Sequence, residues 1–406
     1  MPADGPMAGV RVVEWAHAHM GPGAGMFLAD MGADVIHVEQ PVVGDSMRSF
    51  ATLWGHTFLL EADRNTFTED LLRNKRSLTL DLDRPEAREV MLRLVDDADV
   101  FLTNFRPAAA RKHELDPESL AARNPRLIYA RGTAYGERGP EKDSPGLEMM
   151  GLARGGLMLG SAPQDAEPVY PTMGLNDRLG SIGVLVAILA ALYARERTGE
   201  GQMVATSLLG WTINLQAVAI SYTANVGRDL RPLERSDQSD PLYNLYELGD
   251  GTWIALGMVI HPERFWPRLC RALDLEELVD DPRFASSEAR AEKHRELIRI
   301  LDAAFARLSW DGWDERTRRE EMIACRVNGL PDLVDDEQVL INDYLVKRRH
   351  PDLGEFWYAP TPIEFSKTPV SIRSEAPRVG QHTGEILGEL GYTDAQIDDL
   401  RRREIA

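Results

Sequence analysis

Between residues 10 and 130, short β-branched runs alternate with stretches of helical spacing, and this alternation restricts the fold more than any other feature. Val10–Trp15 reads as a strand, Met20–Met31 as a helix of small and apolar residues, and Asp34–Glu39 as a second strand, so the chain opens with a β-α-β unit. Ser77–Leu82 and Val100–Phe105 are further strands, separated by a helix with Pro85 in its first turn and Val90, Leu92, Leu94 and Val95 on its length. Leu127–Ala130 makes a fifth. Strands and helices in this order pair into a parallel sheet through right-handed crossovers, with helices on both faces. The expected fold class is α/β.

After Gly201 the pattern changes. Val204–Leu209 leads into an apolar helical stretch, and Gly227–Asp240, dense in Arg, Asp and Ser, reads as a crossing between domains. Gly249-Asp250-Gly251 between the alternating runs Tyr243–Leu248 and Thr252–Met258 signals a hairpin. Helical patterns over Pro262–Leu273, Glu288–Leu308 and Trp313–Cys325 complete a smaller α+β domain. A strand signal follows near Ile363–Phe365, with helices at Thr383–Leu390 and Asp394–Arg403. The expected domains are therefore 1–226, large and α/β; 227–330, small and α+β; and a C-terminal segment, 331–406.

Charge limits the partners. Against 65 Asp plus Glu stand 46 Lys plus Arg, a net −19 that repels phosphate backbones and anionic lipid, so neither nucleic acid nor a membrane is an expected partner. Cys270 and Cys325 lie far apart without a Cys-x-x-Cys or a nearby His pair, so no disulfide framework and no metal site is expected, and a cytoplasmic location fits. The N-terminus lacks a basic segment followed by an apolar one, and the longest apolar run, Ile182–Tyr193, is short for a bilayer.

Three stretches carry possible chemistry. Gly174–Thr198 places Asp177 in the first turn of a helix that then becomes wholly apolar; the acid is either a helix cap, a role Asn176 shares, or a nucleophile. Gly21-Pro22-Gly23-Ala24-Gly25 lies between strand and helix, but Met26 stands where the third glycine of a dinucleotide fingerprint belongs and Pro22 interrupts the turn. Its glycines either admit a ligand to the helix N-terminus or pack the helix entry against the sheet. Lys75 and Arg76 before one strand, and Arg106, Arg111 and Lys112 after the next, make either a polyanion site or a solvated basic face.

Taken together, these stretches resemble the family III CoA-transferases, which include formyl-CoA and carnitine CoA-transferases and the related α-methylacyl-CoA racemases. The matching residues are Gly21-Pro22, Leu28–Ile36, Val38-Glu39, Gly44-Asp45, Asn74-Lys75-Arg76-Ser77, Asn104-Phe105-Arg106-Pro107, Asn124–Tyr129, Ala190–Gly199 with Gly201-Gln202, and Gly380-Gln381-His382-Thr383. The resemblance implies a Rossmann-like large domain whose parallel sheet is built from both chain ends, a smaller central domain, and an interlocked dimer, either a homodimer or a heterodimer with a homologous subunit. It implies coenzyme A or an acyl-CoA as substrate, a carboxylic acid as the other substrate, and no tightly bound cofactor.

The resemblance also distributes roles. Asp177 becomes the nucleophile, forming first an acyl anhydride and then an aspartyl-CoA thioester. His19 stands where formyl-CoA transferase has a glutamine near the reacting carbonyl, which argues against a formyl or oxalyl substrate. Lys75, Arg76, Asn104, Phe105, Arg106, Lys112 and Tyr135 are the expected CoA-site residues. In Gly146-Leu147-Glu148, Leu147 occupies the position of the racemase branch's basic histidine, and leucine accepts no proton. Transfer is thus expected over racemisation, with a catalytically silent CoA-binding partner subunit as the remaining alternative.

Overall fold

The computed structural model describes residues 5–406 and divides into two compact units. The larger takes the chain up to Leu159 together with Pro168–Leu230 and Gln338–Ala406; the smaller takes Gly160–Glu167 and Arg231–Glu337.

The larger unit is built on a six-stranded sheet. Its strands are β1 (Arg11–Trp15), β2 (Asp34–Glu39), β3 (Arg76–Thr79), β4 (Val100–Thr103), β5 (Ile128–Thr133) and β6 (Gln202–Ser207), in the order β3-β2-β1-β4-β5-β6. Every pairing is parallel. Successive strand residues point to opposite faces, and both faces are buried here, so the strands read as continuous apolar runs. Val13, Ile36, Leu78, Phe101 and Tyr129 face one core, shared with Val90 and Leu94 of the helix Pro85–Asp96. Val12, Val35, Val100, Leu102 and Ile128 face the other. That second face is covered by α1 (Met20–Asp30) and by the long helix Leu175–Thr198.

Two differences from expectation concern the sheet. β6 forms a sixth strand where a change of pattern was read; it lies at the sheet edge with Gln202 and Met203 exposed, so it lacks the apolar run of its neighbours. All six strands also come from Arg11–Ser207, so the large unit is built from both chain ends as expected but its sheet is not. The C-terminal segment supplies helices instead, Thr383–Glu389 and Asp394–Arg402, whose Ile386, Leu387, Ile397 and Leu400 fill the first core. Around Ile363 no strand forms, because Pro360 and Pro362 remove ladder donors; the segment's strands are the antiparallel pair Val346–His350 and Gly354–Tyr358.

In chain order, the helices that matter for the site are α1, α2 (Thr66–Leu71), α3 (Glu148–Arg154) and α4 (Leu175–Thr198), followed by α5 (Leu208–Leu215) and α6 (Ala217–Val226). α1 is buried along its whole length, and its glycines explain how. A Cβ on Gly23 would collide with the Ser181 hydroxyl of α4, and one on Gly25 with the Glu14 carboxylate of β1. Gly23 and Gly25 are thus packing glycines, one of the two roles the sequence left open. α4 enters through Gly174 at φ 78° and leaves through Gly199 at φ 77°, both in the left-handed region that favours glycine. By length and composition it matches a membrane span, yet it packs against α1, α5, β5 and β6.

The smaller unit holds a three-stranded antiparallel sheet of Leu245–Glu247, Trp253–Leu256 and Ala324–Arg326, with the expected hairpin joining the first two. Tyr246, Trp266, Phe305 and Trp313 centre its core. The helix expected over Glu288–Leu308 is interrupted at Lys293, and that expected to reach Cys325 stops at Arg319, before Glu321 turns left-handed at φ 50°.

Candidate active site

Winding reverses between β1 and β4, and in open parallel sheets ligands bind beyond the carboxyl ends of strands at such a point. Here β1 runs into His17-Ala18-His19 and β4 into Asn104-Phe105-Arg106. Asn104 ties the two loops together: its Oδ1 accepts the His17 N–H at 3.0 Å and its Nδ2 donates to the His17 carbonyl at 2.7 Å. Phe105 stacks on Trp15 at 4.3 Å and on His17 at 4.7 Å between ring centroids. Ala18 sits at φ 62°, and its N–H donates to Asp45 Oδ1 at 3.3 Å.

These loops wall a cavity of about 450 Å³, with His19, Met20, Phe105, Arg106, Lys142, Leu147, Glu148, Asp177 and Leu208 among its lining residues. Asp177 reaches it from the first turn of α4. Its carboxylate caps nothing: among the described residues it has no hydrogen bond and no ion pair. The α4 entrance is served by Glu148 of α3, whose Oε2 accepts the Gly174 N–H at 2.9 Å and the Tyr170 hydroxyl at 2.6 Å, while Oε1 accepts the Asn176 N–H at 2.8 Å. Asn176 does not cap either; among the described residues its buried amide has no partner. Burial, reinforced by the Glu148 charge and opposed by Arg178, pushes the Asp177 carboxyl up to about 7. Two anionic groups crowded in a partly desolvated site resist joint ionisation.

His19 stands against Gly174, where a Cβ would come within 3.0 Å of its Cε1. Burial, then the Arg178 charge, lowers its pKa to about 4 against the pull of Asp70, so the ring is neutral at pH 7, and its enclosed Nε2 has no partner among the described residues. The structure thus brings Asp177, His19, Asn104, Phe105 and Arg106 to one cavity.

The remaining expected residues are elsewhere. Lys75 is fully buried beneath α1, with Nζ 2.7 and 2.9 Å from the Glu14 oxygens and 2.7 Å from the Pro22 carbonyl, so it offers nothing to a phosphate. Arg76 begins β3, at the end of the strand away from the crevice, and pairs with Asp34, Glu385 and Glu389. Lys112 pairs with Asp83 in solvent. Tyr135 lies outside the lining, against Gly146 and under the Arg154 guanidinium at 5.3 Å. Sequence reasoning missed Lys142, which sits in the ordinary charged run Glu141-Lys142-Asp143, and the capping role of Glu148. Lys75→Ala is accordingly expected to destabilise the fold by about 3–5 kcal/mol, because the buried Glu14 would lose its ammonium partner and keep only the His37 ring at 2.7 Å, and urea melts measure this. CoA affinity of the folded fraction should stay within about twofold, since the ammonium meets no phosphate.

Among the described residues no group of His, Cys, Asp or Glu is arranged to hold a metal ion.

Comparison with known proteins sets the chain among CoA-transferases. The chain is 29% identical to the (R)-2-hydroxy-4-methylpentanoate CoA-transferase of Clostridioides difficile, over 98% of this chain and 99% of that one. It is 30% identical to the cinnamoyl-CoA:phenyllactate CoA-transferase of Clostridium sporogenes, over 97% and 96%. A CaiB/BaiF family protein from Brucella suis has a solved structure that superposes with a TM-score of 0.83 at 28% identity, covering 95% of this chain and 100% of that one. The family model of CoA-transferase family III matches residues 7–383, nearly the whole sequence, and the chain belongs to that family as a CoA-transferase.

Proposed function

We propose that this enzyme moves CoA from an acyl-CoA thioester to a carboxylic acid through covalent intermediates on Asp177. The observation that carries the reading is a carboxylate facing a cavity, relieved of capping by Glu148 and, among the described residues, bound to no cation. An Asp177 oxygen attacks the thioester carbonyl, the C–S bond breaks, and CoA leaves as thiolate with an acyl anhydride formed on Asp177. The thiolate then attacks the aspartyl carbonyl, releasing the donor acid and leaving an aspartyl-CoA thioester. The acceptor carboxylate repeats both steps in reverse, so one difficult exchange becomes a series of easier ones. Neutral His19, with an unpartnered ring nitrogen, supports a hydrogen-bond donor role toward the tetrahedral oxyanion.

Arg106 and Lys142 line the cavity without an ion pair among the described residues and suit the CoA phosphates. Arg106→Ala should weaken CoA binding by roughly 1–3 kcal/mol in calorimetry, the loss of a charge-assisted contact. Met20, Phe105, Leu147 and Leu208 make much of the wall apolar, which fits an acid with an apolar body; a panel of acyl-CoA donors and acids, read by mass spectrometry, tests this.

Racemisation is disfavoured by Leu147, which lies exposed on the cavity where that chemistry needs a base. In heavy water the enzyme should wash no deuterium into the α-position of a 2-methylacyl-CoA. Rapid exchange seen by NMR and surviving Asp177→Asn would instead establish a racemase.

Assembly belongs to the same proposal: a Rossmann-like large domain in an interlocked dimer, in a reducing cytoplasm. The strand order is that of the doubly wound nucleotide-binding folds. α6 has no buried residue, and Val218 and Val226 on it, like Val186 and Tyr193 on α4, are exposed apolar groups that a second subunit would cover. Sedimentation at nanomolar concentration should show no folded monomer.

A further inference from the structure

Arg178 follows Asp177 in the first turn of α4, which makes its guanidinium the cation with the shortest tether to the reactive carboxylate. It forms no ion pair with Asp177 among the described residues. Instead it donates to Asp70 of α2 and lies 5.6 Å over the Phe27 ring of α1. Asp70 is anchored from its other side. Arg73 Nη1 donates to Asp70 Oδ1 at 2.7 Å, and the same buried guanidinium is fixed by Asp30 at 2.8 Å and by the Ala359 carbonyl at 3.1 Å. A chain of charged groups thus runs from Asp30 through Arg73 and Asp70 to Arg178 and stops short of Asp177.

We propose that Asp70 is a positioning residue that tethers Arg178 away from Asp177 and so keeps the nucleophilic carboxylate free of a guanidinium partner. The inference rests on the reading of Asp177 as nucleophile. An Arg–carboxylate pair is bidentate and charge-assisted; it would occupy the lone pairs that must attack the thioester and hold them in a stable pair. Without that pair, the groups facing Asp177 are Glu148 from α3, which repels it, the Tyr170 hydroxyl, neutral His19 at the start of α1, and Arg178 at longer range, with Arg106 and Lys142 on the same cavity. Removing the Asp70 charge would leave the guanidinium without its carboxylate, and Asp177 is the next anion along its own helix turn.

The experiment uses Asp70→Asn, Arg178→Gln and the double variant in the full chain. Ionisation of Asp177 is read by carbon-13 carboxyl NMR, assigned by difference against Asp177→Asn, and the single-turnover rate of CoA release from acyl-CoA is followed against pH. Asp70→Asn should move the Asp177 titration down by about one pH unit or more, as expected for an acquired cationic partner. The same variant should slow CoA release by at least about tenfold. Arg178→Gln added to it should return the titration to neutrality or above and restore most of the rate. A titration unmoved by Asp70→Asn, or a double variant as slow as Asp70→Asn, overturns the proposal. Should Asp70→Asn not fold, the double variant is compared with Arg178→Gln alone; equal rates and titrations are expected, and a slower double variant overturns it. NMR reads the ionisation of Asp177 in the free enzyme whichever residue is acylated during turnover, so failure of the nucleophile reading shows separately, as label on another residue.

Discussion

Asp177→Asn is expected to lower CoA exchange by at least about 10³-fold, because an amide is a far poorer nucleophile than a carboxylate, while making the protein more stable above neutral pH. In the fold the Asp177 carboxyl ionises near 7, against 3.8 as its ordinary value. Between these values the native chain holds a proton that the unfolded chain has released, so stability falls as pH rises from about 4 to about 7. At pH 8 the full penalty is present. Three pH units at about 1.4 kcal/mol each set an upper bound near 4 kcal/mol, and solvent in the open cavity reduces this to roughly 1–3 kcal/mol. Asparagine removes the charge and sacrifices no cap, since Glu148 serves the α4 entrance. Denaturation at pH 5 and pH 8 should therefore show a gain at both that is clearly larger at the higher pH. The same ionisation predicts that wild-type exchange rises with pH through about 7.

Glu148 combines two roles whose loss separates experimentally. It accepts two backbone N–H groups and the Tyr170 hydroxyl, and its charge raises the Asp177 pKa. Glu148→Ala leaves those donors in a largely buried site, where each charge-assisted bond contributes about 1.5–3 kcal/mol, so a net loss of about 2–4 kcal/mol is expected in urea melts. With the repulsion gone, the acid limb of the exchange profile should move below 7, and the rate should fall as the α4 entrance loosens. A variant that only destabilised the fold would lower activity without moving the limb.

Much of the sheet was legible because its signals are local. Val12 and Val13 face opposite cores, Pro85 sits at the first position of its helix, and the hairpin glycines Gly249 and Gly251 bound a turn; each follows from backbone geometry within a few residues. β6 escaped because an edge strand with no buried residue carries no apolar run. The site was harder, since its decisive contacts join distant segments. Nothing near Lys75 announces that Glu14 will neutralise it, and a basic run preceding a strand looks the same whether it ends in solvent, in a phosphate site or in a buried pair. Asp177 remained ambiguous between cap and nucleophile because the residue that caps α4, Glu148, belongs to another helix.

The central claim, that Asp177 carries the acyl and CoA groups in turn, is tested most directly by trapping. The wild-type enzyme is incubated with an acyl-CoA it turns over, treated with hydroxylamine or borohydride, and mapped by peptide mass spectrometry. Modification of Asp177 alone, dependent on acyl-CoA and absent from Asp177→Asn, is the predicted result; a labelled residue elsewhere, or undiminished exchange in Asp177→Asn, would contradict the account.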